Sequence, residues 1–156
     1  MPLPSDRPRL TYIDAVMYET LRHATVAPYG LHHSNINNEI LGGFDVPANS
    51  IVSYNIWAVH HDKDYWKNPE VFDPERWLND DGSLKNHSNH FIAFGLGPRV
   101  CLGESLARVE YFHFLVALLH RFSFRLSDDF KNVSLDDGVA GATHAPPVYE
   151  LIAEKR

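Results

Sequence analysis

The chain has 156 residues, of which 44% are hydrophobic, and a formal net charge of -6, which suits one folded domain and argues against a general nucleic-acid binder. The single cysteine excludes an internal disulfide, so nothing indicates an oxidising compartment. The opening residues lack the apolar core of a secretory signal, and the longest uncharged apolar run is too short to span a bilayer.

The first half of the chain predicts one helix followed by short strands. A proline-rich opening loop leads into a helix predicted over residues 10 to 24, because apolar residues recur there at helical spacing. These residues are Leu10, Ile13, Met17 and Leu21. Glycines and prolines then separate strand-like segments at 38–46 and 50–59. Residues 60–66 predict a short helix, and residues 68–83 predict a proline-punctuated loop.

The second half predicts a long buried helix and a final strand. From Cys101 to about His120 the chain is apolar nearly all round, which is typical of a helix covered on every side. Turn signals follow at 136–138 and 144–147, and residues 148–153 predict a strand. So much irregular chain between the helices indicates a piece of a larger fold.

The only cysteine lies in a glycine-rich loop, FIAFGLGPRVCLGES, over residues 91 to 105. Its glycines permit tight turns and close backbone approach. Cys101 falls near the start of the apolar helix, where the helix dipole favours an anion, and Arg99 adds a positive charge nearby. The loop therefore predicts a thiolate with fixed surroundings.

Several roles for that thiolate stay open on these residues alone. It could be a nucleophile, a structural metal ligand or the ligand of a cofactor metal. A zinc site would need further cysteines, and a phosphatase would need an arginine loop directly after the cysteine. A cysteine protease needs a histidine partner, and the ten histidines keep that open. A buried structural cysteine is the commonest role for a lone one.

The pattern F-x-x-G-x-R-x-C-x-G resembles the haem-binding loop of the cytochrome P-450 superfamily. The resemblance implies that Cys101 is the thiolate ligand of haem iron, that Phe94 packs near the sulfur, and that Arg99 pairs with a haem propionate. Gly97 and Gly103 would let backbone N–H groups point at the sulfur and tune its electron donation.

An E-x-x-R pair stands at Glu19 and Arg22 on the first predicted helix. Helical geometry places both away from the apolar stripe, which by itself predicts a solvated ion pair of small value. The resemblance instead implies a buried triad with Arg76, in the segment DPERW, beneath the haem. Trp77 departs from the phenylalanine that is usual in the family at that place.

The similarity covers essentially the whole chain and implies further contacts. His33 matches a position that donates to a haem propionate in many members, although an ordinary loop histidine is equally compatible. Four residues would face substrate, against an alternative of plain loop packing. They are Ala27, Leu31, Ala142 and Thr143.

The resemblance implies a mainly α fold with small β-sheets, forming the C-terminal portion of the cytochrome P-450 fold over residues 1–156, with the N-terminal part absent. The function implied is a haem-thiolate monooxygenase that inserts one oxygen atom from O2 into a small apolar substrate. Its cofactor would be haem (iron protoporphyrin IX), and an NADPH-dependent reductase would supply electrons. The full-length parent would lie at the endoplasmic reticulum membrane through its upstream part, since no anchor is expected here.

No catalytic residue is predicted within these 156 residues. The family's acidic–threonine pair, which delivers protons to bound oxygen, belongs to a helix upstream of the E-x-x-R helix. We therefore expect the chain alone to bind haem weakly and to hydroxylate nothing. A non-catalytic haem-binding module and an inactive truncated product are the alternatives.

Overall fold

The computed structural model describes residues 4–86, 89–134 and 138–156, and the described part is mainly helical with small antiparallel sheets. Three α-helices run over Thr11–Ala24 (α1), Ile56–His60 (α2) and Glu104–Arg121 (α3). Single 3-10 turns lie at Pro4–Arg9, Pro74–Trp77, Gly97–Arg99 and Asp128–Phe130. The predicted fold class is confirmed, and no helix among the described residues is long and apolar enough to cross a membrane.

Six short strands form three antiparallel pairs within the described residues. The strands are His33–Ser34 (β1), Glu39–Leu41 (β2), Phe44–Val46 (β3), Ile51–Val52 (β4), Phe122–Leu126 (β5) and Leu151–Lys155 (β6). β1 pairs with β4, β2 forms a hairpin with β3, and β5 pairs with β6. The hairpin matches its predicted segment, and the final strand overlaps its predicted segment of 148–153 but begins three residues later and ends two residues later. Part of the predicted turn at 136–138 lies outside the described residues.

The core forms where α1 meets the segment that ends at the Pro74–Trp77 turn. Ala15, Trp66 and Trp77 are buried there, and half-buried rings pack around them. Tyr18 stacks on Trp77 with ring centroids 5.1 Å apart, and Phe91 meets Trp77 edge-on at 5.1 Å. Aromatic pairs in these geometries stabilise a core beyond the area that they bury. This core fixes α1 against the segment before the cysteine loop.

The strand predicted over 50–59 is wrong in its second half, where α2 forms instead. Asn55 caps that helix, because its side-chain oxygen accepts a hydrogen bond from the N–H of Ala58 at 2.9 Å. The observed helix α2 ends at His60, so the short helix predicted over residues 60–66 is wrong beyond its first residue. An asparagine cap is a readable signal, but the apolar run around it favours a strand.

The last helix is not buried all round, which corrects the prediction. It starts at Glu104, three residues after Cys101, and Phe112 is its one buried residue. Leu106, Phe114 and Leu118 are 61%, 68% and 47% exposed. α3 contacts α1 on one side only, so a broad apolar surface faces outward.

Candidate functional site

Two arginines surround one buried carboxylate. Glu19 and Arg22 have no exposed side-chain surface, and the side chain of Arg76 is 8% exposed. Nε and Nη2 of Arg22 donate to the two carboxylate oxygens of Glu19 at 2.9 and 2.8 Å, and Nε of Arg76 donates to Glu19 Oε1 at 3.1 Å. The structure thus brings the three residues together, and the solvated pair expected from helix geometry is wrong.

Two further donors complete the surroundings of the Glu19 carboxylate. Nε1 of Trp77 donates to Oε2 and the N–H of Asp73 donates to Oε1, both at 2.9 Å. Burial by itself raises the pKa of Glu19, but the hydrogen bonds from Arg22, Asp73 and Trp77 outweigh burial and hold that pKa below its usual value. The carboxylate is therefore charged at neutral pH. An indole at Trp77 supplies a donor that phenylalanine lacks.

The guanidinium groups also bind backbone carbonyls of the irregular segment. Arg22 donates from Nη1 to the carbonyl of His60 at 2.7 Å and from Nη2 to that of Pro69 at 2.8 Å. Arg76 donates from Nη1 to the carbonyl of Lys67 at 2.8 Å. These bonds satisfy backbone carbonyls that have no partner in a helix or a sheet, since this segment lacks regular structure. The triad therefore ties α1 to the segment that leads to the cysteine loop.

The loop around Cys101 is closed by backbone hydrogen bonds. The N–H of Cys101 donates to the carbonyl of Phe94 at 2.8 Å, and the N–H of Gly95 donates to that of Ile92 at 2.9 Å. Gly95 and Gly97 have φ of +81° and +68°, a region that favours glycine. Cys101 itself is exposed, so the predicted alternative of a buried structural cysteine is wrong.

The remaining loop residues lie at the surface. Arg99 is exposed at the end of the Gly97–Arg99 turn. A Cβ added at Gly103 would lie 3.8 Å from the sulfur of Cys101, which is an ordinary contact. Sterics therefore do not require glycine at that position. Phe94 is half-buried, and its ring centroid lies 5.0 Å from Cζ of Arg108, which pairs with Glu104 at 2.8 Å.

His33 lies in β1 and is joined to the loop through a residue that the sequence did not single out. Its ring centroid lies 5.8 Å from that of Tyr54. Tyr54 packs against two glycines. A Cβ added at Gly30 would lie 3.2 Å from the Tyr54 ring, and a Cβ added at Gly95 would lie 2.9 Å from the Tyr54 hydroxyl. Tyr54 therefore packs between the segment after α1 and the cysteine loop.

The structure brings the two segments with predicted substrate contacts together. His144 donates its N–H to the carbonyl of Val26 at 2.7 Å, and its Nδ1 lies 2.8 Å from the carbonyl of Ala24. These bonds hold the loop of Ala142 and Thr143, both exposed, beside Ala27. Leu31 is 82% exposed beyond them.

An apolar cavity of about 320 Å³ opens between α1, α3 and the cysteine loop. Its lining includes Ala27 and Phe94, two of the predicted site residues, together with Leu21, Ala107 and Tyr111. That volume lies at the lower end of the range for small-molecule sites. The cavity therefore lies between the segment with predicted substrate contacts and the loop that carries the thiol.

Three buried or bridging residues escaped the sequence reasoning, namely Tyr54, His60 and His144. Their signal is weak, since a histidine or tyrosine among loop residues has no periodicity. His60 follows a helix cap and is completely buried. The one signal that could have indicated His60 is an ionisable residue at the end of an otherwise apolar run, residues 56–60.

The surroundings of Cys101 fit a flat apolar group that carries its own metal. Among the described residues, no cluster of three or more His, Cys, Asp or Glu could hold a metal ion, and no hydrogen bond joins the Cys101 sulfur to a histidine. This disfavours a zinc site and a cysteine–histidine nucleophile. Leu96 and Leu102 are 60% and 101% exposed, and Arg99 is free to meet an anion. An iron macrocycle with acidic substituents matches this donor set.

The family model described as Cytochrome P450 matches residues 2–152. The chain is 43% identical over 127 residues to Cytochrome P450 1A1 of Rattus norvegicus, covering 81% of this chain and 24% of that protein. It is 37% identical over 155 residues to Cytochrome P450 2U1 of Bos taurus, covering 99% and 28%. It is 42% identical to Steroid 17-alpha-hydroxylase/17,20 lyase of Ictalurus punctatus, covering 99% and 30%. The chain thus spans about a quarter of the length of these relatives.

Proposed function

The chain belongs to the cytochrome P450 family, whose members bind haem, and from this we propose that its residues 1–156 form the C-terminal segment of a haem-thiolate monooxygenase. The complete protein would insert one oxygen atom from O2 into a small apolar substrate. The observation that carries the proposal is the exposed thiol of Cys101 on a closed loop, in a chain that also holds the buried Glu19–Arg22–Arg76 triad.

In this proposal Cys101 is the ligand of the haem iron. When bound, a thiolate-ligated haem supplies the activation of dioxygen. The loop holds the thiol through the bond from Cys101 N–H to the Phe94 carbonyl, and the Phe94 ring would pack near the sulfur. Such packing would help to set the electron donation of the ligand, because a fixed, dry environment tunes a metal centre.

Arg99, His33 and the glycines of the loop would complete the contacts to haem. Arg99 is exposed beside the loop and supplies a cation for one propionate. His33 is half-buried against Tyr54 and supplies a second donor. Gly97 and Gly103 would let backbone N–H groups point at the sulfur. The triad holds the segment beneath this surface and takes no part in the chemistry.

Substrate would lie against Ala27, Leu31, Ala142 and Thr143, and His144 ties the loop of the last two to the segment after α1. We assign no catalytic residue within these 156 residues. We further propose that an NADPH-dependent reductase supplies electrons and that the complete protein lies at the endoplasmic reticulum membrane. Similarity to cytochrome P450 1A1 and 2U1 supports both proposals, and the apolar lining of the cavity supports an apolar substrate.

The test is a carbon-monoxide difference spectrum of the reduced full-length protein that carries these residues. We expect the red-shifted Soret band of thiolate-ligated haem, and we expect Cys101→Ala to abolish it. Ser105→Ala, a small exposed change on the first turn of α3, is the control and should keep the band. A Cys101→Ala protein with an unchanged band would overturn the assignment.

A further inference from the structure

We infer that His60 is a positioning residue that fixes the start of the Cys101 loop to the end of α1. The inference deepens the proposed function, because the loop is the part that would present the thiol to iron. Three described segments meet at this side chain, namely α2, the end of α1 and the start of the cysteine loop, and the side chain has no exposed surface.

Both ring nitrogens of His60 form hydrogen bonds. The N–H of Ile92 donates to Nε2 at 3.1 Å, and Nδ1 lies 3.0 Å from Oγ1 of Thr25. A backbone N–H can only donate, so Nε2 carries no proton. Thr25 Oγ1 already donates to the carbonyl of Arg22 at 2.6 Å. It must therefore accept from Nδ1–H, and the hydrogen bonds run in one direction from His60 to Arg22.

The two hydrogen-bond partners of His60, Thr25 and Ile92, lie where the backbone conformation needs support. Thr25 ends α1 with a φ of +38°, a region that a β-branched residue rarely adopts. Its hydroxyl and the ring of His60 hold it there. Ile92 lies two residues before Phe94, and its carbonyl closes the first turn of the cysteine loop by accepting from Gly95. His60 therefore joins a strained helix end to the base of the loop.

The hydrogen bond from Ile92 to His60 requires a neutral imidazole ring. A proton on Nε2 would leave the N–H of Ile92 without its acceptor. The charges that face the ring are Arg22 and Glu19 from α1 and its neighbour His61. Burial, with Arg22 and His61, lowers the pKa of His60 to about 4. The ring is therefore neutral at physiological pH, and it stacks on Phe91 at 5.6 Å.

The test uses the full-length protein that carries these residues. Its readout is the protection of one backbone amide, so a negative result here is distinguishable from the loss of the haem spectrum that would refute Cys101 as the ligand. Amide hydrogen exchange is followed by mass spectrometry on peptides that contain Ile92. His60→Phe keeps a ring that can stack on Phe91 but removes both hydrogen bonds. We expect it to speed exchange at Ile92 at least tenfold, while the amide of Trp66, bonded to Asp62 at 2.8 Å, keeps its protection. His60→Gln, which retains an acceptor, should restore part of the protection at Ile92.

His61→Phe is the matched control, because that neighbouring ring stacks on Trp57 and its Nδ1 lies 3.0 Å from the Trp57 carbonyl, on the helix and not on the loop. It should leave exchange at Ile92 unchanged. Unchanged exchange at Ile92 in His60→Phe would overturn the inference, since the ring would then only fill space. Equal acceleration at Ile92 and Trp66 would also overturn it, because the effect would be global unfolding. Exchange of the imidazole C2 proton gives a second readout, with a midpoint expected near pH 4 for His60. A midpoint near the ordinary value of about 6.5 would contradict the buried, neutral ring.

Discussion

At the scale of single residues, buried charge is balanced by hydrogen bonds with little redundancy. Glu19 accepts from Arg22, Arg76, Trp77 and the backbone of Asp73. Replacing one partner leaves a buried charge without its counterpart, which is costly even where the intact network adds little net stability. Substitutions at this site should therefore act on stability before they act on any chemistry.

Arg22→Lys should lower the free energy of unfolding by on the order of 3–5 kcal/mol, because an ammonium cannot replace the bidentate fork and the two carbonyl contacts of the guanidinium. The matched control is Arg125→Lys in the exposed pair with Glu154, where we expect about 0–1 kcal/mol. Chemical denaturation followed by the fluorescence of the buried Trp66 and Trp77 measures both. Equal losses in the two variants would contradict the triad.

His60 also sets a pH dependence of stability. Its pKa is lowered to about 4 in the folded chain, so the unfolded chain takes up the proton first as pH falls below about 6.5. Stability from this group is present above pH 6.5 and is lost toward pH 4, by about 3 kcal/mol in total. The pKa of Glu19 is also lowered, so its contribution is lost only below the ordinary value of 4.5.

Unfolding measured between pH 7 and pH 5 therefore isolates His60 from Glu19. We expect the free energy of unfolding to fall over this window in the natural chain and to fall less in His60→Phe. Identical slopes in the two proteins would show that another group is responsible.

At the scale of elements, the cysteine loop depends on its glycines for two different reasons. Gly95 and Gly97 both have positive φ, but only Gly95 is crowded, since an added Cβ would lie 2.9 Å from the hydroxyl of Tyr54. Gly97→Ala should therefore cost about 1–2 kcal/mol for backbone conformation alone. Gly95→Ala should cost more, and Tyr54→Phe in the same chain should recover the excess. Denaturant unfolding of the four proteins checks this, and equal costs for the two alanines would contradict the crowding.

The elements differ in how far the sequence predicts them. α1 and the β2–β3 hairpin follow from periodicity and from the Gly42–Gly43 turn. The burial of Glu19 does not, because its partners Arg76 and Trp77 come from a distant segment and no local pattern reports them. The same holds for His60 and His144, whose contacts are long-range. Family resemblance, and not periodicity, predicts the triad.

At the scale of the whole molecule, α3 leaves an uncovered apolar surface. Leu106, Phe114 and Leu118 of this helix are 61%, 68% and 47% exposed, and Leu102 just before it is 101% exposed. Exposed apolar side chains favour association when they form a patch. We expect the purified 156-residue chain to self-associate, to retain added haem weakly and to give no NADPH-dependent product with added reductase.

The double variant Leu106→Glu and Phe114→Glu should shift this chain toward the monomer in analytical ultracentrifugation. Ile51→Glu, which removes an equally exposed apolar residue from β4, is the control and should change the distribution less. A monomeric natural chain, or turnover that depends on Cys101, would contradict the expectation.

The distance along the chain between Glu19 and its partners also has a consequence during synthesis. Trp77 is 58 residues after Glu19. At about 5–20 residues per second, a ribosome needs about 3–12 s to add them. For most of that interval Asp73, Arg76 and Trp77 have not yet been added, so Arg22 on the same helix is the one of these partners that Glu19 can reach. The nascent helix therefore exposes to water the face that will later form the core, and a chaperone would bind the chain at this stage.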